Sequence, residues 1–134
     1  MSGEKILVVD DDKEFLEVIS AVLSEKNYRV VTASNSDEGF KLLDSEFPDL
    51  VVMDLSMRER NEGLKAIEEM RHKRTGEKKI PIVIVSATTP GERVSREAIE
   101  DRVEAVGADM YFDKPVNWEK FTAGVKTLLR ESKL

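Results

Sequence analysis

Ile6-Leu7-Val8-Val9-Asp10-Asp11-Asp12 sets four apolar residues directly against three consecutive acids, and residues 12–26 then carry Phe15, Ile19, Val22 and Leu23 at helical spacing. A short run that is apolar at every position suits a strand covered on both faces, and a one-faced helix beside it is the cover such a strand requires. The same unit recurs along the chain. Residues 28–33 read as a second strand, and Asn35 with Glu38 three residues on has the form of a capping box ahead of Phe40, Leu43 and Phe47. Pro48-Asp49 breaks the chain before Leu50-Val51-Val52-Met53-Asp54. A helix is expected over residues 62–74, with Leu64, Ile67 and Met70 inward and Thr75-Gly76 at its end. Residues 80–85 form the fourth strand. Thr89-Pro90-Gly91-Glu92 is a helix start, with Val94, Ala98, Ile99 and Val103 on the buried side and Gly107 placed to close it. Residues 109–113 make a last short strand, and Asn117 caps a final helix carrying Phe121, Val125, Leu128 and Leu129.

Five βα units without repeat, linker or low-complexity stretch predict one α/β domain over residues 1–134, a doubly wound five-stranded parallel sheet with helices on both faces. A length of 134 residues is enough for a single core without staples. With 36% charged and 40% hydrophobic residues the composition is that of an ordinary globular chain. Lys and Arg number 21 against 27 Asp and Glu, a net charge of −6, which argues against direct nucleic-acid binding. The basic run Arg71-His72-Lys73-Arg74, with Lys78-Lys79, has no interleaved aromatics and reads as a solvated helix end. The absence of cysteine excludes disulfides, Cys-ligated zinc and thiol catalysis, and His72 alone leaves no material for a Ser-His-Asp set or a multi-histidine metal site. No apolar run is long enough for a signal segment or a bilayer span, so a cytoplasmic location without membrane contact is expected.

Open α/β sheets bind ligands beyond the carboxyl ends of their strands, so the residues there belong together. The first strand runs into Asp10-Asp11-Asp12, the third ends in Asp54, the fourth in Ser86 and the fifth in Asp113-Lys114-Pro115. Singly, each has an ordinary explanation. Asp12 suits a helix cap, Ser86 a turn hydroxyl and Lys114 a surface charge. Asp54 is harder to dismiss, because an unpaired acid closing a buried apolar strand is costly. Two carboxylates about 5 Å apart repel by roughly 3 kcal/mol at an effective dielectric near 20. Acids clustered with a single lysine therefore call for a cation, and hard oxygens too few to build a cage suit Mg²⁺ shared with a phosphate. A lysine and a hydroxyl alongside are what phosphoryl oxygens require, so the site reads as Mg²⁺-assisted phosphoryl chemistry with an aspartate as candidate nucleophile.

Ile6-Leu7-Val8-Val9-Asp10-Asp11, Pro48-Asp49-Leu50-Val51-Val52-Met53-Asp54, Pro81-Ile82-Val83-Ile84-Val85-Ser86-Ala87 and Lys114-Pro115, in this order and at these separations, resemble the receiver domain of two-component response regulators of the single-domain chemotaxis type. The resemblance covers residues 5–130 and implies a flavodoxin-like (βα)5 sandwich. It implies that Asp54 accepts a phosphoryl group from a sensor histidine kinase or phosphotransfer protein. Asp10, Asp11, the Asp54 carboxylate and the backbone carbonyl of Ser56 would hold Mg²⁺. Lys114, the Ser86 hydroxyl and the Ala87 amide would bind the phosphoryl oxygens, and Lys114-Pro115 would be cis. Ser86 and Tyr111 would act as the switch, changing the fourth-helix, fifth-strand and fifth-helix surface that a downstream protein partner reads. Trp118 and Phe121 are read as packing for the last helix.

The sequence departs from the family's pattern around that moving face. Met57-Arg58 stands where Met-Pro is usual, Gly63 lies one residue farther from Asp54, and the stretch between Ser86 and Lys114 is longer by about a helical turn or more. Ser56 and Thr88 occupy positions that commonly tune dephosphorylation. Two other functions compete. An aspartate-nucleophile phosphatase of the haloacid dehalogenase kind would use Asp10 and Asp12 as its Asp-x-Asp, but Glu14 stands where Thr or Val is needed and no closing acidic pair or cap follows. An unphosphorylated receiver-like interaction module would have no need of Asp10, Asp11, Asp54, Ser86 and Lys114 together. No output domain is expected after Arg130, so the domain is either a stand-alone receiver acting through protein contacts or the receiver part of a longer chain.

Overall fold

The structure is a computed structural model that describes residues 3–54, 80–86 and 109–132. Strands β1 (Lys5–Val9), β2 (Arg29–Ala33), β3 (Leu50–Asp54), β4 (Ile82–Ser86) and β5 (Met110–Asp113) form one parallel sheet in the order β2-β1-β3-β4-β5. That order reverses beside β1, as in flavodoxin-like doubly wound sheets. The described helices are α1 (Lys13–Glu25), α2 (Ser36–Glu46) and α3 (Trp118–Ser132). The helices expected over 62–74 and after Thr89 lie outside the described residues.

Strands β1, β3 and β4 read as near-continuously apolar because each feeds two cores. Alternate side chains point to opposite faces. Ile6 and Val8 of β1, Leu50 and Val52 of β3, and Val83 and Val85 of β4 face one way, where they meet Ile19 and Leu23 of α1 and Phe121, Val125 and Leu129 of α3. Leu7, Val9, Val51, Met53, Ile82 and Ile84 face the other way, against Leu43 of α2. One cluster lies under α1 and α3, the other under α2, and this is the doubly wound arrangement expected from the alternation of periods.

Local chemistry starts the helices where their caps stand. Asp12 accepts from the backbone N–H groups of Glu14 (3.0 Å) and Phe15 (3.3 Å), so α1 begins directly after the acid run. Asn35 accepts from Glu38 N–H at 2.8 Å. The Glu38 carboxylate reaches back to the N–H and hydroxyl of Ser34, one residue before the cap itself. Asn117 accepts from Lys120 N–H at 3.2 Å and opens α3. Asn27 (φ 69°) and Phe47 (φ 48°) take left-handed backbone after α1 and α2.

Candidate functional site

Four strands deliver the site to one edge of the sheet. β1 ends at Val9, and the Asp10 N–H still donates to Ala33 O at 3.0 Å, so the chain leaves the sheet only after Asp10. Asp10 is fully buried. Asp54 closes β3, in register with Val85 of β4, and is 2% exposed. Ser86 closes β4 opposite Asp113 of β5, and Lys114 follows at once, joined to Pro115 by a cis peptide. Asp11 stands exposed beside Asp10.

The Lys114 ammonium binds the two buried acids together. Its Nζ donates to Asp10 Oδ2 at 2.8 Å and lies 3.7 Å from Asp54 Oδ2. The second Asp10 oxygen accepts from the Asp12 N–H at 2.9 Å. Nζ also sits 4.0 Å above the centre of the Phe15 ring. Burial pushes the Asp10 carboxyl up from 3.8 to about 6. The Lys114 and Asp12 hydrogen bonds pull it back, and the charge of Asp54 adds to the rise. Among the described residues one lysine faces the three carboxylates of Asp10, Asp11 and Asp54, whose oxygens a hard cation would take up.

Carboxylate oxygens of Asp10, Asp11 and Asp54 all lie within 4.8 Å of one another. Oxygens around Mg²⁺ sit about 2.1 Å from the ion and keep several waters among them, so three carboxylates from two strand ends fit this ion after a small adjustment. They do not make a cage, which leaves coordination positions open.

Asp10, Asp11, Asp54 and Lys114 are therefore brought together from strand ends far apart in sequence. Ser86 is at the end of the neighbouring strand. Ser56 and Ala87 lie outside the described residues, as do Met57, Arg58, Gly63 and Thr88. Tyr111 is half-buried on β5 against the cluster containing Leu7, Val9 and Ile84, and its hydroxyl donates to Asp113 Oδ1 at 2.8 Å. Trp118 and Phe121 pack edge-to-face at 5.5 Å in the core under α3. Asp12 is exposed and engaged in capping α1, which removes the second member of the Asp-x-Asp pair that a phosphatase would need. The contact between Phe15 and Lys114 has no sequence signal: Phe15 reads as one more apolar position on α1, and only the closed sheet brings Lys114 onto it.

A buried, lysine-bridged pair of acids thus stands at the carboxyl edge of a doubly wound sheet of order 2-1-3-4-5, where open α/β sheets bind their ligands. The family model of the response regulator receiver domain matches residues 6–126, and the chain belongs to that family. It is 31% identical over 134 aligned residues to the alkaline phosphatase synthesis transcriptional regulatory protein PhoP of Bacillus subtilis, covering 98% of this chain and 51% of that protein. It is 34% identical over 132 residues to response regulator MprA of Mycobacterium ulcerans, covering 97% and 52%. The chain thus spans about half the length of the curated relatives it matches. A CheY-like response regulator receiver domain protein from Methanospirillum hungatei superposes with a TM-score of 0.83 at 28% identity, covering 98% of both chains. Membership implies phosphorylation-dependent signalling rather than turnover of a separate substrate. Among the described residues no helix is long and apolar enough to cross a membrane.

Proposed function

We propose that the domain is a signalling switch in which Asp54 accepts a phosphoryl group from the phosphohistidine of a sensor histidine kinase or phosphotransfer protein. An Asp54 carboxylate oxygen bonds to phosphorus as the phosphorus–nitrogen bond breaks. The electron pair stays with the departing imidazole, and an acyl phosphate remains on the protein. The observation that carries this reading is the Lys114 ammonium, 2.8 Å from Asp10 and 3.7 Å from Asp54, with both acids buried. Set there, a fixed positive charge meets the phosphoryl oxygens as they arrive, and positioning with charge is most of what such a transfer needs. Asp10, Asp11, Asp54 and the Ser56 carbonyl would hold Mg²⁺, which when bound neutralises further charge on the transferred group. The Ser86 hydroxyl and the Ala87 amide take the remaining oxygens.

The output follows from the same strand ends. Ser86 drawn toward the phosphoryl group frees space that Tyr111 enters, giving up its bond to Asp113. The surface around β5, α3 and the helix expected before Gly107 then changes for a downstream protein partner. Apart from its own phosphorylation and autodephosphorylation, the domain catalyses nothing.

Intact mass after incubation with acetyl phosphate, with and without Mg²⁺, tests the chemistry for wild type and Asp54→Ala. One phosphoryl adduct requiring both Mg²⁺ and Asp54 is expected. No adduct under any condition would leave only a receiver-shaped binding module.

A further inference from the structure

We propose that Phe15 is a positioning residue for Lys114 in phosphoryl transfer, an inference that rests on the site reading above. The ammonium lies 4.0 Å above the ring centre, well inside the range over which a cation is attracted by an aromatic face. Lysine is a point charge on a flexible stem, and Lys114 is 16% exposed, so water competes for it. Two carboxylates pull the same ammonium unequally, at 2.8 and 3.7 Å, which would draw it toward Asp10 and away from Asp54. The ring gives it a third attachment.

What the ring supplies differs from what another acid would supply. An added carboxylate would raise the negative charge that an incoming phosphoryl group must meet. It would also occupy a lysine N–H needed for a phosphoryl oxygen. A π-face attracts the ammonium while remaining neutral and accepts no strong hydrogen bond.

The ring is itself fixed from the acid cluster. Lys114 donates to one Asp10 oxygen, and the other accepts from Asp12 N–H. The Asp12 carboxylate accepts from Phe15 N–H, and the Phe15 ring returns to Lys114. The circuit is closed: the residue that caps α1 sets where the ring stands, and the ring sets where the lysine stands. Trp118 abuts Phe15 with ring centres 5.9 Å apart, and it leans in turn on the fully buried Phe121, so the ring is backed by the core.

The test compares initial rates of Asp54 phosphorylation by acetyl phosphate with Mg²⁺ for wild type, Phe15→Leu, Phe15→Tyr, Lys114→Ala and the double variant Phe15→Leu/Lys114→Ala. Losing the cation–π contact should slow Phe15→Leu by roughly fivefold to thirtyfold. Phe15→Tyr, which keeps the face, should recover to within about twofold. In the Lys114→Ala background the Leu substitution should have no further effect, because there is no ammonium left to position. The Lys114 ε-methylene protons should also show a ring-current upfield shift that Phe15→Leu abolishes, a signature that loss of packing alone does not imitate. A Phe15→Leu rate equal to wild type overturns the proposal, as does an equal loss with and without Lys114. No adduct on wild type, or a Lys114→Ala rate equal to wild type, overturns the site reading itself and the role of Phe15 with it.

Discussion

Among the described residues, burial without full compensation makes the charge of Asp10 depend strongly on conditions. Its carboxyl is raised from 3.8 to about 6, first by desolvation and then by the charge of Asp54, against the pull of Lys114 and the Asp12 N–H. Between those two values the folded, metal-free protein keeps a proton that the unfolded chain has released. The folded state then binds more protons than the unfolded one, so stability falls as pH rises. The contribution is fully present below about pH 4 and lost as pH passes about 6. Asp10→Asn cannot charge and has no such loss. In EDTA, the stability of the variant relative to wild type should therefore rise by up to about 3 kcal/mol between pH 4 and 7. Urea midpoints of the two proteins across that range would show it. A difference that stays flat with pH would mean that Asp10 titrates normally.

At the scale of elements, two of the described positions go against local preference. Phe47 ends α2 in left-handed backbone with 72% of its surface exposed, a place where glycine meets no steric penalty. Relief of that penalty exceeds the entropy that glycine adds to the unfolded chain, so Phe47→Gly should stabilise by about 0.5–1 kcal/mol in chemical denaturation. A loss of stability would show that the ring supports the domain from its exposed position. Gly124 lies inside α3, where glycine is a poor helix former. Its reason is the close approach of β5: a Cβ there would stand 2.7 Å from Met110 Sδ and 3.2 Å from Phe112 Cζ. The thioether can swing aside for a methyl group, and the helical preference of alanine offsets the crowding. Gly124→Ala should therefore change stability by less than about 1 kcal/mol, whereas Gly124→Leu should cost about 2–3 kcal/mol. Thermal melts of the pair would separate the two; equal effects would mean that packing is not what holds glycine there.

For the whole molecule, what was legible in the sequence is what short-range chemistry decides. Asp12, Asn35 and Asn117 announce helix starts because a cap bonds within its own first turn, and all three do so. The acids and the lysine were legible as strand-end residues because a parallel sheet must bring such ends to one edge. Strand order was legible only through the family resemblance, and the seating of Phe15 under Lys114 not at all, since both depend on how distant segments close on each other and leave no periodicity behind. The same closure links the site to global stability. Asp10 and Asp54 leave neighbouring strands at the centre of the sheet, and Lys114 leaves the edge strand, so an ion held by the acids would bind the folded chain and not the unfolded one. Mg²⁺ at about ten times its dissociation constant should then add about 1.4 kcal/mol, a rise of a few degrees in melting temperature. Asp10→Asn should lose the rise, since it takes a charged oxygen from the group of three. Glu17→Gln, which removes an equal charge from the exposed side of α1, should keep it. Calorimetric melts with and without Mg²⁺ distinguish a site from general screening: if both variants lost the rise equally, the ion would be acting on the net charge of −6 and not on the three carboxylates.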